Sequence, residues 1–354
     1  MGYSSADIAP IQPLAEDAVS MAVQGLDVFR ADQISTIIKV VGTAAQGQIG
    51  RMSRRQLMGQ DFDNLRVADG HEARVQVVFD PDNVDYDIRT PIRSKSQLKY
   101  SDLSENQYAN LDLRTHGAAG ALRACLMDKE REAATLLRTV ANWGAGTNTS
   151  ACALLAGLNA QASGFQFGVA GATEFTDMRI AANLAADQAG GLMPTGVLIG
   201  IDAWRNLASA DEIINRGNNN SERYSIPDGE LMSLVRSRVG VDEVVIGDAR
   251  FEASAPGVAT AEAYVWGDDV IFFYKGDTIL PSGNGPVLGQ PTTLGMVKCN
   301  KGAGSMEFRA RDKDDIRVVE DECVMHELPI RVGQQGDGDP ATLTLGFLLS
   351  DCVV

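Results

Sequence analysis

The sequence predicts an α+β fold in which one long helix stands between strand-rich segments and an α/β unit. Three observations carry that expectation. Across 118–143, apolar residues recur at Ala118, Leu122, Cys125, Leu126, Ala133, Leu136, Leu137 and Val140, the spacing of threes and fours that marks one face of a helix. A short apolar run at 197–201 follows Pro194 and precedes a helical pattern, as expected of a strand buried on both faces. Further strands are expected at 35–41, whose β-branched residues suit a pleated sheet, and at 241–246, 293–299, 306–311 and 316–320.

Residues 1–13 are polar and punctuated by Pro10 and Pro13, and 14–25 carries a short amphipathic pattern that stops at Gly25. The chain thus opens as an arm with a helix in it. Ile37, Ile38, Val40 and Val41 mark the strand at 35–41. From 43 to 94 glycines, arginines and acids alternate, and only 74–79 and 86–92 have strand character. This predicts a long excursion ending in a hairpin, and a two-stranded ribbon is marginal in water unless it lies on something else. Its arginines include Arg51, Arg54, Arg55, Arg66 and Arg74, set against Asp61, Asp63, Asp69, Glu72, Asp80, Asp82, Asp85 and Asp87. The mixture suits either a solvated loop or an arm that pairs by charge with a neighbouring subunit.

Ser104 with Gln107 three residues on is a capping-box pattern that predicts a short helix over 105–113. The helix at 118–143 then spans roughly 39 Å and ends at Trp143, Gly144 and Gly146. Its other side carries Arg123, Asp128, Lys129, Glu130, Arg131, Glu132 and Arg138, and interleaved signs suit a solvated or subunit-contacting side. Thr176 and Asp177 are expected to cap a helix with Ile180, Ala181, Leu184 and Ala185 on one face, stopped by Gly190 and Gly191. Asp202 is expected to cap the next, which carries Trp204, Leu207 and Ala208. Residues 216–225 are almost wholly polar and predict a projecting loop holding Arg216, Asn218, Asn219, Asn220 and Arg223. A helix with Leu231, Leu234 and Val235 follows, then strands at 241–246, 261–265 and 270–274. The last two are expected to form a hairpin through Trp266, Gly267, Asp268 and Asp269. The later strands and an apolar tail at 343–349 complete the chain.

In 354 residues, 44% hydrophobic content is enough for a real core. No run comes near the roughly eighteen uninterrupted apolar residues of a membrane span, and no basic-then-apolar start predicts a secretion signal. The formal charge of −16, from 47 acids against 31 bases, argues against gripping nucleic acid phosphates as the main task, though local basic patches remain. Cys125, Cys152, Cys299, Cys323 and Cys352 are odd in number, scattered and without a Cys-x-x-Cys, which reads as buried thiols in a reducing compartment.

Catalytic patterns are absent: the sequence has no phosphate-loop, nucleophile-elbow or His-Glu-x-x-His motif. His71, His116 and His326 lie far apart. Gly144-Ala145-Gly146 follows a helix instead of the strand a dinucleotide fingerprint needs. The acids Asp80, Asp82, Asp85 and Asp87 lack the glycine and distant glutamate of a calcium loop, and Gly336-Asp337-Gly338-Asp339 reads as a surface turn. Asp268 with Asp269, and Asp314 with Asp315, sit in turn-like sequence where exposed carboxylates have little reason to shift their pKa values. No catalytic, cofactor-binding or metal-binding residue is assigned.

The order of elements resembles the major capsid proteins of tailed double-stranded DNA bacteriophages, which share the Hong Kong ninety-seven-like capsid fold. Three blocks carry the likeness. The first is Tyr108-Ala109-Asn110 with Asp128-Lys129-Glu130-Arg131-Glu132-Ala133-Ala134-Thr135-Leu136-Leu137. The second is Pro194-Thr195-Gly196-Val197-Leu198-Ile199-Gly200 through Asp202-Ala203-Trp204-Arg205-Asn206-Leu207 and Glu212-Ile213-Ile214. The third is Val239-Gly240-Val241, Val244-Val245-Ile246-Gly247-Asp248-Ala249 and Tyr264-Val265-Trp266-Gly267-Asp268-Asp269-Val270. Together they cover most of 106–275; before residue 100 only lengths and character match.

The resemblance implies an N-terminal arm at 1–42, an extended β-hairpin loop (E-loop) at 43–94 and a peripheral domain with the long spine helix at 95–175. An axial α/β domain at 176–275 and a return to the peripheral domain with the C-terminal tail at 276–354 complete the division. It implies a non-enzymatic protein that self-assembles into hexamers and pentamers of an icosahedral shell around double-stranded DNA. The shell would touch its genome weakly and non-specifically, and would be built in the bacterial host's cytoplasm and carried in the virion, with no membrane. Portal and decoration proteins are the further partners. Subunit contacts are then expected at Arg51, Arg54, Arg55, Arg66 and Arg74 of the E-loop and at Arg123, Lys129, Glu130 and Glu132 of the spine helix. The loop with Arg216, Asn218, Asn219, Asn220 and Arg223 is expected near the capsomer axis. Some relatives weld subunits through an E-loop lysine, but 43–94 contains none, so shells without that crosslink are expected. Some carry a fused scaffolding segment; only residues 1–13 precede the first predicted helix, so a separate scaffold or none is expected. The alternative within the fold is an encapsulin-like nanocompartment shell, and from another class an α/β enzyme built around the 197–201 strand.

Overall fold

The computed structural model describes residues 28–41, 46–51, 82–99, 113–143, 149–169, 171–210, 227–252, 261–280, 287–288, 291–300, 305–313, 318–331 and 345–353. A four-residue helix, α1 (Ala31–Ile34), leads into strand β1 (Thr36–Val41). Strands β2 (Gln46–Arg51) and β3 (Asp82–Asp87) pair antiparallel, and β4 (Ile92–Lys99) precedes the long helix α2 (Leu113–Arg138), which ends in a 3-10 turn at Val140–Trp143. Next come β5 (Thr149–Ala151), a 3-10 turn (Cys152–Gly157), α3 (Glu174–Gln188), β6 (Gly196–Gly200) and α4 (Ile201–Ala208). Helix α5 (Asp228–Val235) continues into a π turn and is followed by β7 (Glu243–Gly247), β8 (Arg250–Glu252), β9 (Glu262–Tyr264) and β10 (Val270–Phe273). The remaining strands are β11 (Val287–Leu288), β12 (Leu294–Asn300), β13 (Met306–Lys313), β14 (Val318–Met325), β15 (Glu327–Arg331) and β16 (Phe347–Ser350).

The central sheet has the order β5-β16-β10-β6-β7, with β6 parallel to β7 and antiparallel to β10. All of β6 and β10 is buried, because both strands are apolar on both sides and the pleat sends alternate residues to opposite faces. Val197, Ile199, Val270 and Phe272 pack with Met178, Ala181, Trp204, Leu207, Leu231 and Val235, which come from α3, α4 and α5. Leu198, Ile271 and Phe273 face the other way, onto Ala133, Ala134, Leu137 and Trp143. One half of α2 thus closes the second face of this sheet. Its other half supplies Ala121, Leu122, Cys125 and Leu126 to a separate core with Cys323 and Met325 of β14. A single helix therefore joins two cores.

A further sheet, β1-β12-β15, adjoins these cores, and the sheet β13-β14-β4 lies along α2. The close approach of β4 depends on Gly117, where a Cβ would come within 2.8 Å of the Ser96 hydroxyl.

Several elements differ from the expectations above. Helix α2 begins at Leu113, with Gly117 and Gly120 inside it, since the packing of β4 and β14 outweighs the roughly 1 kcal/mol cost of each glycine. Neither expected cap holds: α3 starts at Glu174 and α4 at Ile201, with Thr173 and Gly200 at their N-caps. Asp177 instead lies buried and accepts hydrogen bonds from the backbone N–H and hydroxyl of Ser163. The expected strand over 86–92 is two strands broken between Asp87 and Ile92: β3 returns to β2, whereas β4 crosses to β14. The expected hairpin between 261–265 and 270–274 does not form. Strand β9 pairs with β8, while β10 enters the central sheet between β16 and β6. The switch occurs where Trp266 is drawn wholly into the core and Gly267 takes a φ of +59°, a conformation a side chain disfavours. The expected helix at 14–25 and strand at 74–79 lie outside the described residues, as does all of the expected 105–113 helix except Leu113, which begins α2.

Candidate subunit-contact site

The long helix presents one continuous exposed stripe. His116, Gly120, Arg123, Ala124, Asp128, Arg131, Glu132 and Thr135 are exposed, at helical spacing, while the remaining sides are packed. Arg131 covers the Phe251 ring at 4.7 Å. Asp128 and Glu132 stand four residues apart on this stripe, where like charges repel. Partial burial and that repulsion push the Glu132 carboxyl above its ordinary value. The stripe therefore holds an acid pair that a cation from another chain would relieve.

Lys129 and Glu130 do not belong to it. Both were expected at the surface, yet Lys129 is 3% and Glu130 0% exposed, because segment 29–35, β15 and Trp266 enclose this turn of the helix. The Glu130 carboxylate accepts the backbone N–H groups of Arg30 (2.8 Å) and Ala31 (2.7 Å) and the indole N–H of Trp266 (2.6 Å). Arg30 is the N-cap of α1 and provides no cap of its own, so a carboxylate from another helix satisfies the donors that a helix start leaves open. Burial still pushes Glu130 above the usual carboxylate value despite these three donors.

Lys129 sits in a ring of alternating charges. Its ammonium lies 2.9 Å from Asp32 and 2.8 Å from Glu327, and Lys298 approaches the same two acids at 3.0 and 3.5 Å. Burial works against the charge on Lys129, but Glu327 and Asp32 outweigh it and raise its pKa. Burial likewise works against Asp32, and Lys129 and Lys298 outweigh it, holding that carboxyl below its ordinary value. These side chains join α1, α2, β12 and β15 within one subunit. The expectation that Lys129 and Glu130 contact a neighbour is corrected accordingly; Arg123 and Glu132 remain exposed.

At the end of α2, Arg138 pairs with Asp269 and donates to the Val265 carbonyl at 3.0 Å. Asp269 was read as an exposed turn residue but is 5% exposed, and burial raises its pKa even beside Arg138. Nothing in the apolar spacing of the helix signals these anchors; the cue was an arginine and an aspartate at opposite ends of otherwise apolar runs.

Of the excursion over 43–94, residues 46–51 and 82–94 are described. Gln46 and Gln48 of β2 donate to Asp87 and Asp85 of β3 across an exposed face. Arg89 binds Asp87 and holds its carboxyl at about 2. Arg51 ends β2 opposite Asp82 and Leu288, while Arg54, Arg55, Arg66 and Arg74 lie outside the described residues. So do Arg216, Asn218, Asn219, Asn220 and Arg223; the two sides of that loop are joined by the Trp204 indole, which donates to Asp228 at 3.0 Å. Among the described residues no group of three or more His, Cys, Asp and Glu side chains is placed to hold a metal ion. No helix among them is long and apolar enough to cross a membrane.

Comparison with solved structures bears on the fold. A phage-related protein from Bordetella bronchiseptica RB50 superposes with a TM-score of 0.62 at 16% identity, over 98% of each chain. The two chains share one fold. The capsid of cyanophage P-SCSP1u matches 99% of this chain and 90% of its own at 13% identity and a TM-score of 0.49. The mature capsid of bacteriophage PhiM1 matches 90% and 86% at 12% identity and a TM-score of 0.48. The fold shared with the phage-related protein extends over nearly the whole of both chains. No protein-family model and no curated protein matches the sequence.

Proposed function

We propose that the protein is the structural subunit of an icosahedral phage head, a major capsid protein that self-assembles around double-stranded DNA and performs no catalysis. The observation that supports this most is the α2 stripe: a charged surface with an unneutralised acid pair, on a helix otherwise sunk in two cores. In this reading the hairpin that starts from β2 and β3 reaches the next subunit and sets its arginines, Arg51, Arg54, Arg55, Arg66 and Arg74, against Asp128 and Glu132. Arg123 joins the same contact. The divisions 1–42, 43–94, 95–175, 176–275 and 276–354 serve as arm, E-loop, peripheral domain, axial domain and return. The loop fastened by Trp204 and Asp228 lies near the capsomer axis. Scaffolding, portal and decoration proteins are the partners this role brings, and the virion is its destination.

Reversing the acid pair tests the contact. Glu132→Arg together with Asp128→Arg removes both anions from an exposed stripe, so the subunit should fold with an unchanged circular dichroism spectrum. Like charges brought together across an interface cost several kcal/mol, so sedimentation should show the assembled fraction falling by more than about tenfold. A doubly reversed protein that assembles as the parent does would overturn this placement of the contact.

A further inference from the structure

The five cysteines were read as scattered, yet four of them fall into two pairs. Cys125 of α2 touches Cys323 of β14, and its thiol lies 3.6 Å from the Cys323 carbonyl. Cys152, just after β5, and Cys352, two residues past β16, lie in one buried core cluster, and the neighbouring Cys152 thiol helps to push the Cys352 thiol up. The second pair follows from sheet register: β5 and β16 run parallel with Ala151 opposite Ser350, so both chains leave the sheet together. Asp351 then takes a φ of +55°, the single non-glycine positive φ among the described residues, and turns Cys352 back into the core. Segment 165–167 holds both sides. The Cys152 thiol donates to the Phe165 carbonyl at 3.3 Å, and the Phe167 N–H donates to the Cys352 carbonyl at 2.7 Å. The Gln166 amide donates to the carbonyls of Asp351 and Val353.

We propose that Cys152 and Cys352 are a modification site, joined as a disulfide when the protein passes from a reducing into an oxidising medium, where the bond ties β16 to β5. The oxidant is a small-molecule disulfide. The Cys152 thiol loses its proton and attacks one sulfur of the oxidant, releasing one small thiolate and leaving a mixed disulfide. The Cys352 thiol loses its proton, attacks the Cys152 sulfur and releases the second small thiolate. Two protein S–H bonds give way to one S–S bond, and the oxidant is reduced to two thiols that take up the two protons. Both cysteines are fully buried, but Ala153 and Leu154 on one side and Asp351 on the other are exposed, so a small local opening admits the reagent. The pair Cys125 and Cys323 is buried too but lies within a helix and a central strand, where opening requires parting two packed elements. It is expected to react last. The proposal does not depend on the shell role.

The test incubates the intact protein with oxidised glutathione, blocks remaining thiols under denaturing conditions, and reads mass and non-reducing peptide maps. The expected product is lighter by about two daltons before blocking, has lost two reactive thiols, and yields a linked peptide holding Cys152 and Cys352. Closing a loop of roughly two hundred residues should raise the thermal midpoint by about 5 °C, reversed by dithiothreitol. Cys352→Ser should fold with the parent's spectrum and lose both the mass change and the thermal response. Full alkylation of both thiols after oxidation would overturn the proposal, as would a link confined to Cys125 and Cys323.

Discussion

Replacing Lys129 with methionine should destabilise the folded subunit by about 3 kcal/mol or more, read as a lowered urea midpoint. Methionine keeps the packed stem and removes only the ammonium. Glu327, itself 4% exposed, then keeps a single cation at 3.5 Å, and Lys298 must serve it and Asp32 alone. Taking one member from a buried ion group costs about 3–5 kcal/mol because the remaining charge is left poorly compensated; Lys298 puts this case at the lower end. Adding Glu327→Gln in the same chain should cost less than the two single changes summed, since the orphaned charge is gone. A Lys129→Met midpoint within about 0.5 kcal/mol of the parent would contradict this.

The pH dependence follows in sign. The Lys129 pKa is raised above its ordinary 10.5, so its stabilisation is complete below that value and lost as pH rises through the folded one. Asp32 is held below its ordinary 3.8, so its contribution is present above that value and lost as pH falls through the folded one. Lys129→Met should flatten the alkaline limb of the stability profile and also shrink the Asp32 part of the acid limb, which then rests on Lys298 alone.

Glu130→Ala has the larger expected effect. It strips the partner from the N–H groups of Arg30 and Ala31 and from the Trp266 indole, all enclosed. Each orphaned donor costs about 1–3 kcal/mol, so the total should exceed about 4 kcal/mol even after relief of the buried charge. Glu130→Gln should fall between parent and alanine, because one amide oxygen serves two of the three donors while its NH2 group faces the third. The raised Glu130 pKa works opposite to that of Asp32. Between its ordinary 4.5 and its folded value the native state takes up a proton, so stability from this group grows as pH falls, and Glu130→Gln should remove that component. Hydrogen exchange should show 28–35 loosened first in Glu130→Ala.

These two residues mark where sequence reading succeeded and where it stopped. The apolar stripe of α2 was legible because a period of three to four needs no knowledge of neighbours, and β6 was legible because Val197, Leu198 and Ile199 are apolar on both sides of the pleat. Lys129 and Glu130 were assigned to a surface by residue type, and type cannot say that α1, β15 and Trp266 close over that turn. Strand β15 went unread because Glu327, Pro329 and Arg331 argue against a strand; it is an edge of the β1-β12-β15 sheet, where a proline sacrifices no ladder bond. The β9 and β10 hairpin was misread because adjacency in sequence favoured local pairing, whereas the fully buried Trp266 commits β10 to a longer-range sheet. The exposed stripe was half legible: Arg123 and Glu132 are exposed, and Asp128 gains its importance only from the burial of its neighbours.

The central claim is that this fold is a shell subunit, and negative-stain electron microscopy of the expressed protein, alone and with co-expressed assembly partners, tests it most directly. Closed shells, or free rings of five or six subunits, are the predicted result. A compact monomer under every condition would contradict it.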